Sequence, residues 1–196
     1  MNESLDWWLF KNNFEYFVHY DKVFTSEEID AIENCIQDSD LKTADLADIK
    51  SGKSIIRDSK VSFINAKNPE NHWIFEKFSS VVIDANERFF KFELNRIESL
   101  QYTVYNKSHF YKNHVDLTYQ NLDDATRKLS FTMQLSNPDD YKGGELILKN
   151  GPEPHIAGKN RGSIIFFPSY VLHEVTPVLK GTRKSIVGWV TGPRWK

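Results

Sequence analysis

The sequence predicts an α+β chain, mainly β, with helices first and a β-rich half after them. Three observations carry this. Two early stretches repeat apolar residues at helical spacing. Beyond residue 95 the texture changes to segments of five to nine residues, bounded by Asn, Asp, Gly and Pro. Hydrophobic residues make up 40% of 196 positions, enough for a single domain with its own core.

Residues 25–37, TSEEIDAIENCIQ, read as the first helix. Thr25 and Glu28 have capping-box spacing, and Ile29, Ile32 and Ile36 form an apolar stripe. DSKVSFINA reads as a short strand. Residues 70–91 read as a longer helix with Ile74, Phe78, Val81, Val82, Ala85 and Phe89 on one side. The strands that follow are IESLQYTVY, LSFTMQL, GELILK, GSIIFFP and SIVGWVTG. Short strands at this spacing predict a sandwich or a barrel. Strand alternation puts Leu129, Phe131, Met133 and Leu135 on one apolar face. Ser130, Thr132 and Gln134 then face a polar interior. No internal repeat, linker or low-complexity tract divides the chain. Residues 1–196 are expected to form one domain, with 1–95 as helix-rich support and 96–192 as the core.

Composition narrows the function classes. The net charge of −2 lacks the basic excess of an electrostatic nucleic-acid binder, so no nucleic-acid partner is expected. The lone cysteine, Cys35, forms no internal disulfide and suits a reducing cytosol. The opening MNESLDWWLFKNNFEYF mixes acids with apolar residues, unlike a signal peptide. No apolar run approaches the ~20 residues of a membrane helix. A cytoplasmic protein without a membrane partner is the expectation.

The chemistry concentrates in the second half. FYKNHVDLT holds His114 and Asp116 two residues apart, which on a strand aims an imidazole and a carboxylate the same way. His173 follows a buried strand and a Pro-Ser turn, and supplies a third ligand. Two histidines and one carboxylate on one face of an octahedron, with open positions opposite, mark non-haem Fe(II) oxygenases. Ten residues on, Arg183, Ser185, Val187 and Trp189 share one strand face. A guanidinium forks onto both oxygens of a carboxylate, and a neighbouring serine adds a donor. His109 and His155 are weaker ligand candidates. His109 has odd parity with His114, and His155 sits in a loop or edge without a downstream arginine. His19 and His72 fall in the helical half and read as structural or exposed.

With these residues in view, the chain resembles the 2-oxoglutarate- and Fe(II)-dependent dioxygenases, in particular the prolyl 4-hydroxylase-like branch. The resemblance runs from about residue 97 to 190. YNKSHFYKNHVD matches in Tyr105, Tyr111, His114 and Asp116. YKGGELIL matches a Gly-Gly-acid strand, and GSIIFFPSYVLHEVTPVLKGTRKSIVGW matches through the distal histidine, Gly-x-Arg and tryptophan. It implies a double-stranded β-helix (jelly roll) core with the N-terminal helices packed on one sheet. It also implies Fe(II) as cofactor, held by His114, Asp116 and His173, with 2-oxoglutarate and O2 as co-substrates. Arg183 falls where the family grips the far carboxylate of 2-oxoglutarate, and Tyr105 and Gln134 fall on positions that contact 2-oxoglutarate in relatives. Ser185 joins them as a cofactor-binding candidate through the strand face it shares with Arg183. Ser108 departs from the family, where many relatives have glycine.

Tyr111, Trp189 and Arg127 are candidates for the substrate pocket, and the aromatic interior is drawn from Tyr102 or Tyr105, Tyr111 and Trp189. Tyr111 reads equally as core packing, and Arg127 with Lys128 as a basic strand end. Residues 117–127, LTYQNLDDATR, are expected at the pocket rim. A carboxylate at position 116 favours hydroxylation over halogenation. A prolyl residue in a peptide or protein is the expected substrate, with a free amino acid or small metabolite as the alternative. A non-catalytic metal-binding jelly roll and a zinc hydrolase are the competing classes. Neither needs Arg183 and Ser185 so placed.

Overall fold

The structure, a computed structural model, describes residues 15–36, 40–44, 56–117 and 125–195. In chain order the N-terminal part supplies β1 (Val18–Tyr20), α1 (Ser26–Asn34), β2 (Lys42–Thr43), β3 (Arg57–Asp58), β4 (Lys60–Ile64) and α2 (His72–Ala85). Then come β5 (Arg96–Ile97), β6 (Leu100–Tyr105), β7 (Phe110–His114), β8 (Ala125–Gln134), β9 (Tyr141–Gly143) and β10 (Leu146–Lys149). The chain closes with β11 (His155–Ile156), β12 (Ile164–Pro168), β13 (Leu172–Val175), β14 (Val178–Gly181) and β15 (Arg183–Pro193).

The capping box forms as expected. Glu28 N–H donates to the Thr25 hydroxyl at 3.2 Å, and Thr25 N–H donates to the Glu28 carboxylate at 2.7 Å. Glu28 also pairs with Lys77 of α2, tying the two helices together. α1 ends at Asn34, so Ile36 lies beyond it and is only partly buried against the core. The second helix differs from the expected 70–91. It ends at Ala85 and continues as a π-helical turn over Asn86–Phe90, closed by Lys91 N–H donating to the Asn86 carbonyl at 2.7 Å. The wider turn shifts the buried face. Phe90 is buried, whereas Phe89 is only partly so.

The strands form an eight-stranded sheet in the order β1-β12-β8-β15-β6-β4-β2, with β5 added on β15. A five-stranded sheet runs β11-β10-β13-β7-β3, and β14 pairs with β9. All the pairings are antiparallel. This is the jelly roll the resemblance implies, with the helices on one sheet. Phe78 of α2 stacks on Phe131 of β8 at 4.9 Å, and Phe24 lies 4.8 Å from Phe78.

Alternation divides the eight-stranded sheet cleanly. Leu129, Phe131, Met133, Leu100, Tyr102, Val104, Ile164, Phe166, Ile186 and Val190 belong to the helix-side core. Tyr102 therefore faces the helices, and the interior tyrosine is Tyr105. Register sets the opposite face: Arg183 lies across from Tyr105, Ser185 between Thr103 and Gln134, and Trp189 across from Ser130. Ile165 and Phe167 join the second core, between the sheets, with Leu146, Leu148 and Val175.

The N-terminal part contributes strands as well as helices. β1 pairs with β12, β3 with β7, and β4 with β6. His19, expected in a helical half, lies on strand β1. Among the described residues no helix is long and apolar enough to cross a membrane.

Gly188 is where β15 meets the helix-side core most closely. A Cβ there would stand 2.1 Å from the Phe131 ring, which is itself fully buried. Gly188→Ala should therefore destabilise the protein by about 1–3 kcal/mol through overpacking, read as a lower denaturation midpoint.

Candidate active site

His114 closes β7, and His173 lies directly opposite on β13. Their rings are 4.1 Å apart between centroids. Asp116 is not on the strand, contrary to the simple i, i+2 reading. It sits two residues past the end of β7, and the loop is pinned to the Pro-Ser turn. The Asp116 and Leu117 amides both donate to the Ser169 carbonyl at 2.9 Å. The turn, rather than strand alternation, returns the carboxylate to the same side. The nearest Asp116 oxygens stand 3.7 Å from His114 Nε2 and 3.5 Å from His173 Nε2. One ligand atom from each residue fits within 4.8 Å of the others.

Each ligand is oriented from behind. His114 Nδ1 is 2.8 Å from the Lys112 carbonyl, and His173 Nδ1 is 2.9 Å from the Val171 carbonyl. A carbonyl only accepts, so Nδ1 carries a proton in both rings and Nε2 is the nitrogen each ring turns inward as a ligand atom. Burial first, and then neighbouring His173, push the His114 pKa down to about 4, so its ring is neutral near pH 7. Ser130 donates to Asp116 Oδ2 at 2.8 Å, and its hydroxyl lies 2.9 Å from that of Ser169. Oδ1 is left for a metal. The donor set fits Fe(II): two imidazoles and one carboxylate, with the remaining directions opening into a cavity of about 780 Å³.

Arg183 lies in the wall of the same cavity and is 1% exposed. Its NH1 reaches Ser185 Oγ at 3.4 Å, while Nε and NH2 have no hydrogen-bond partner. No carboxylate among the described residues pairs with it. The guanidinium carbon sits 5.4 Å from the Tyr105 ring centroid. A buried cation without an anion is costly, and the cavity beside it has room to supply one. A 2-oxoglutarate carboxylate fits that demand.

The other expected site residues fall in two groups. Tyr105, Ser185, Tyr111, Trp189 and Arg127 all line the cavity. Gln134 does not. It is buried beside Ser185, with its Oε1 unpartnered, and Thr132 from the same strand face lines the wall instead. Tyr111 stacks flat on His114, with centroids 3.5 Å apart and planes 13° from parallel. Arg127 forks onto Glu98 at 2.9 and 2.6 Å while its guanidinium covers the Trp189 ring at 3.9 Å. Of the expected rim, residues 118–124 lie outside the described residues. Ser108 adopts φ 73°, the left-handed conformation glycine takes most easily.

Sequence reasoning missed Ser169, Glu98 and Arg57, and gave Ser130 no role. Arg57 covers the outer face of Tyr111 at 4.6 Å. Only the Pro168-Ser169 pair ahead of His173 carried a signal. Ser130→Ala removes the donor that holds Asp116 and should weaken Fe(II) binding about 10- to 100-fold, measured by anaerobic titration.

Comparison with known proteins agrees with this geometry. Residues 100–191 match the profile of the 2OG-Fe(II) oxygenase superfamily. A PKHD-type hydroxylase from Crocosphaera subtropica is 31% identical over 176 residues, covering 87% of this chain and 76% of the relative. A second, from Rippkaea orientalis, is 38% identical over 96 residues, a stretch spanning 48% of this chain and 43% of that protein. A prolyl-4-hydroxylase from Pseudomonas putida shares the fold with a TM-score of 0.71 at 19% identity, covering 92% of this chain and 94% of the other. So does a Trichoplax adhaerens prolyl hydroxylase solved with a hypoxia inducible factor peptide fragment: TM-score 0.72, 19% identity, 89% and 83% covered. The chain belongs to the 2OG-Fe(II) oxygenase superfamily. It is a dioxygenase that depends on Fe(II) and uses 2-oxoglutarate and O2 as co-substrates.

Proposed function

We propose that the protein hydroxylates a prolyl residue in a peptide or protein, with His114, Asp116 and His173 as iron ligands and Arg183 as the anchor of 2-oxoglutarate. The observation that carries the cofactor assignment is the buried Arg183, without a carboxylate partner among the described residues, in the cavity that holds the triad. Strands from both halves of the chain share the same sheets, which supports one oxygenase domain over residues 1–196. The prolyl substrate is supported by the prolyl hydroxylases that share the fold and by the aromatic mouth of the cavity.

Bound Fe(II) supplies the oxidising chemistry, coupling conversion of 2-oxoglutarate and O2 to succinate and carbon dioxide with insertion of one oxygen atom into a C–H bond. The protein's own contribution is placement. His114 and His173 offer Nε2 lone pairs because backbone carbonyls hold their Nδ1 protons. Ser130 leaves Asp116 one oxygen for the metal. Arg183 and Ser185 bind the distal carboxylate of 2-oxoglutarate, which fixes its other end toward the triad. Tyr105 closes the wall beside them, and Gln134 lies across from Ser185 on the neighbouring strand. At the mouth Trp189 gives a pyrrolidine ring a flat apolar surface. The Glu98–Arg127 pair holds that indole in place.

Iron-loaded protein incubated with proline-rich peptides should add one oxygen atom to proline and form matching succinate, read by mass spectrometry. Arg127→Ala should raise the peptide KM while leaving 2-oxoglutarate affinity unchanged. Succinate formation that ignores every proline peptide but accelerates with a small metabolite would move the substrate to the metabolite class.

A further inference from the structure

We propose that His19 and His155 form a second divalent-metal site, separate from the triad, that clips the two sheets together at one end of the sandwich. β1 is the terminal strand of the eight-stranded sheet, and β11 is the terminal strand of the five-stranded sheet. His19 projects from the first and His155 from the second, and their Nε2 atoms meet at 3.0 Å. Two imidazole nitrogens bound to one ion at about 2.0–2.1 Å, with a bond angle between 90° and tetrahedral, stand about 2.9–3.4 Å apart. The observed separation falls inside that range before any metal is added.

The rings are also held in this pose. Phe17 stacks on His155 with centroids 3.7 Å apart and planes 18° from parallel, and meets His19 edge-on at 5.7 Å and 74°. Without metal, one Nε2 carries the proton that bridges the pair. A cation displaces that proton, and with each ring then protonated at Nδ1 both Nε2 lone pairs converge on the ion. His19 is exposed, which leaves room for water to complete the shell. Neutral imidazole suits zinc, copper and nickel, and Zn(II) is the ion with the fewest geometric demands. Neither residue lines the active-site cavity, and the pair shares no residue with the triad. Its success or failure therefore leaves the oxygenase site untouched. With two protein ligands and water in the remaining positions, occupancy follows the ambient metal concentration. Metal bound only in the folded state raises its stability.

The probe is Zn(II) alone, titrated into full-length protein carrying His114→Ala so that the triad is impaired. That protein should bind Zn(II) and show a higher Tm with the metal. Adding His155→Asn, or separately His19→Asn, should remove one equivalent of bound zinc and the Tm increase it brings. Two independent variants keep the result decisive if one of them folds poorly. Zinc stoichiometry and Tm increase that persist undiminished in both double variants would overturn the site. So would a His114→Ala protein that takes up no zinc. If the pair is only a hydrogen bond between strands, the double variants lose stability without metal and zinc shifts none of the proteins, which also overturns it.

Discussion

Arg183→Met should weaken 2-oxoglutarate binding by roughly two to nearly four orders of magnitude while leaving Fe(II) affinity close to that of the wild-type protein. Breaking a buried ion pair by removing one member costs roughly 3–5 kcal/mol, and each factor of ten in affinity is about 1.4 kcal/mol. Arg183 is buried, and among the described residues only Ser185 hydrogen-bonds its guanidinium. On the proposed role of Arg183 as anchor, the 2-oxoglutarate carboxylate is the partner that would be lost. Methionine preserves most of the buried volume, which separates the charge from a packing defect. Without co-substrate the variant should be at least as stable as the wild type, because it no longer buries a cation without an anion. Calorimetric titration of 2-oxoglutarate together with thermal denaturation of the free protein checks both halves of the expectation.

His173→Ala should abolish Fe(II)-dependent turnover and leave the jelly roll folded. His173 is 5% exposed, pairs with His114 across β13 and β7, and directs its Nε2 at Asp116. Without it the metal has one imidazole and one carboxylate, and β13 still keeps its backbone pairing with β10 and β7. The ring also packs against Phe167, with centroids 4.8 Å apart, so a modest loss of stability accompanies the lost metal. Iron binding measured anaerobically, beside circular dichroism of the same preparation, separates loss of the site from loss of the fold. A variant that retains wild-type iron affinity and still forms succinate would remove His173 from the ligand set.

Sequence legibility followed the length and regularity of each element. β8 and β15 alternate over ten and eleven residues, so the faces carrying Ser130, Thr132, Arg183 and Trp189 were readable from period alone. β2, β3 and β5 have two residues each and offer no period to detect. The π-turn after α2 moved burial from Phe89 to Phe90 without any glycine or proline to announce it. In the candidate site, His114, Asp116 and His173 were legible as residue types in order. The physical route to Asp116 was not: it depends on Ser169, 53 residues further along the chain, accepting two amides. Gln134 shows the limit of parity, which fixes the face of a strand but not the depth at which a side chain ends. Arg127 was placed at the mouth, yet its partner Glu98 comes from a different strand connection, and no local pattern joins the two.

The central claim is that one cavity holds Fe(II) on His114, Asp116 and His173 and 2-oxoglutarate on Arg183. The most direct test is an anaerobic titration of 2-oxoglutarate into Fe(II)-loaded protein, followed by visible absorption. The account predicts a charge-transfer band that saturates in the wild type, requires far more co-substrate in Arg183→Met, and never forms in His173→Ala. Wild-type protein that binds Fe(II) and 2-oxoglutarate without producing the band, or variants that match the wild type, would contradict it.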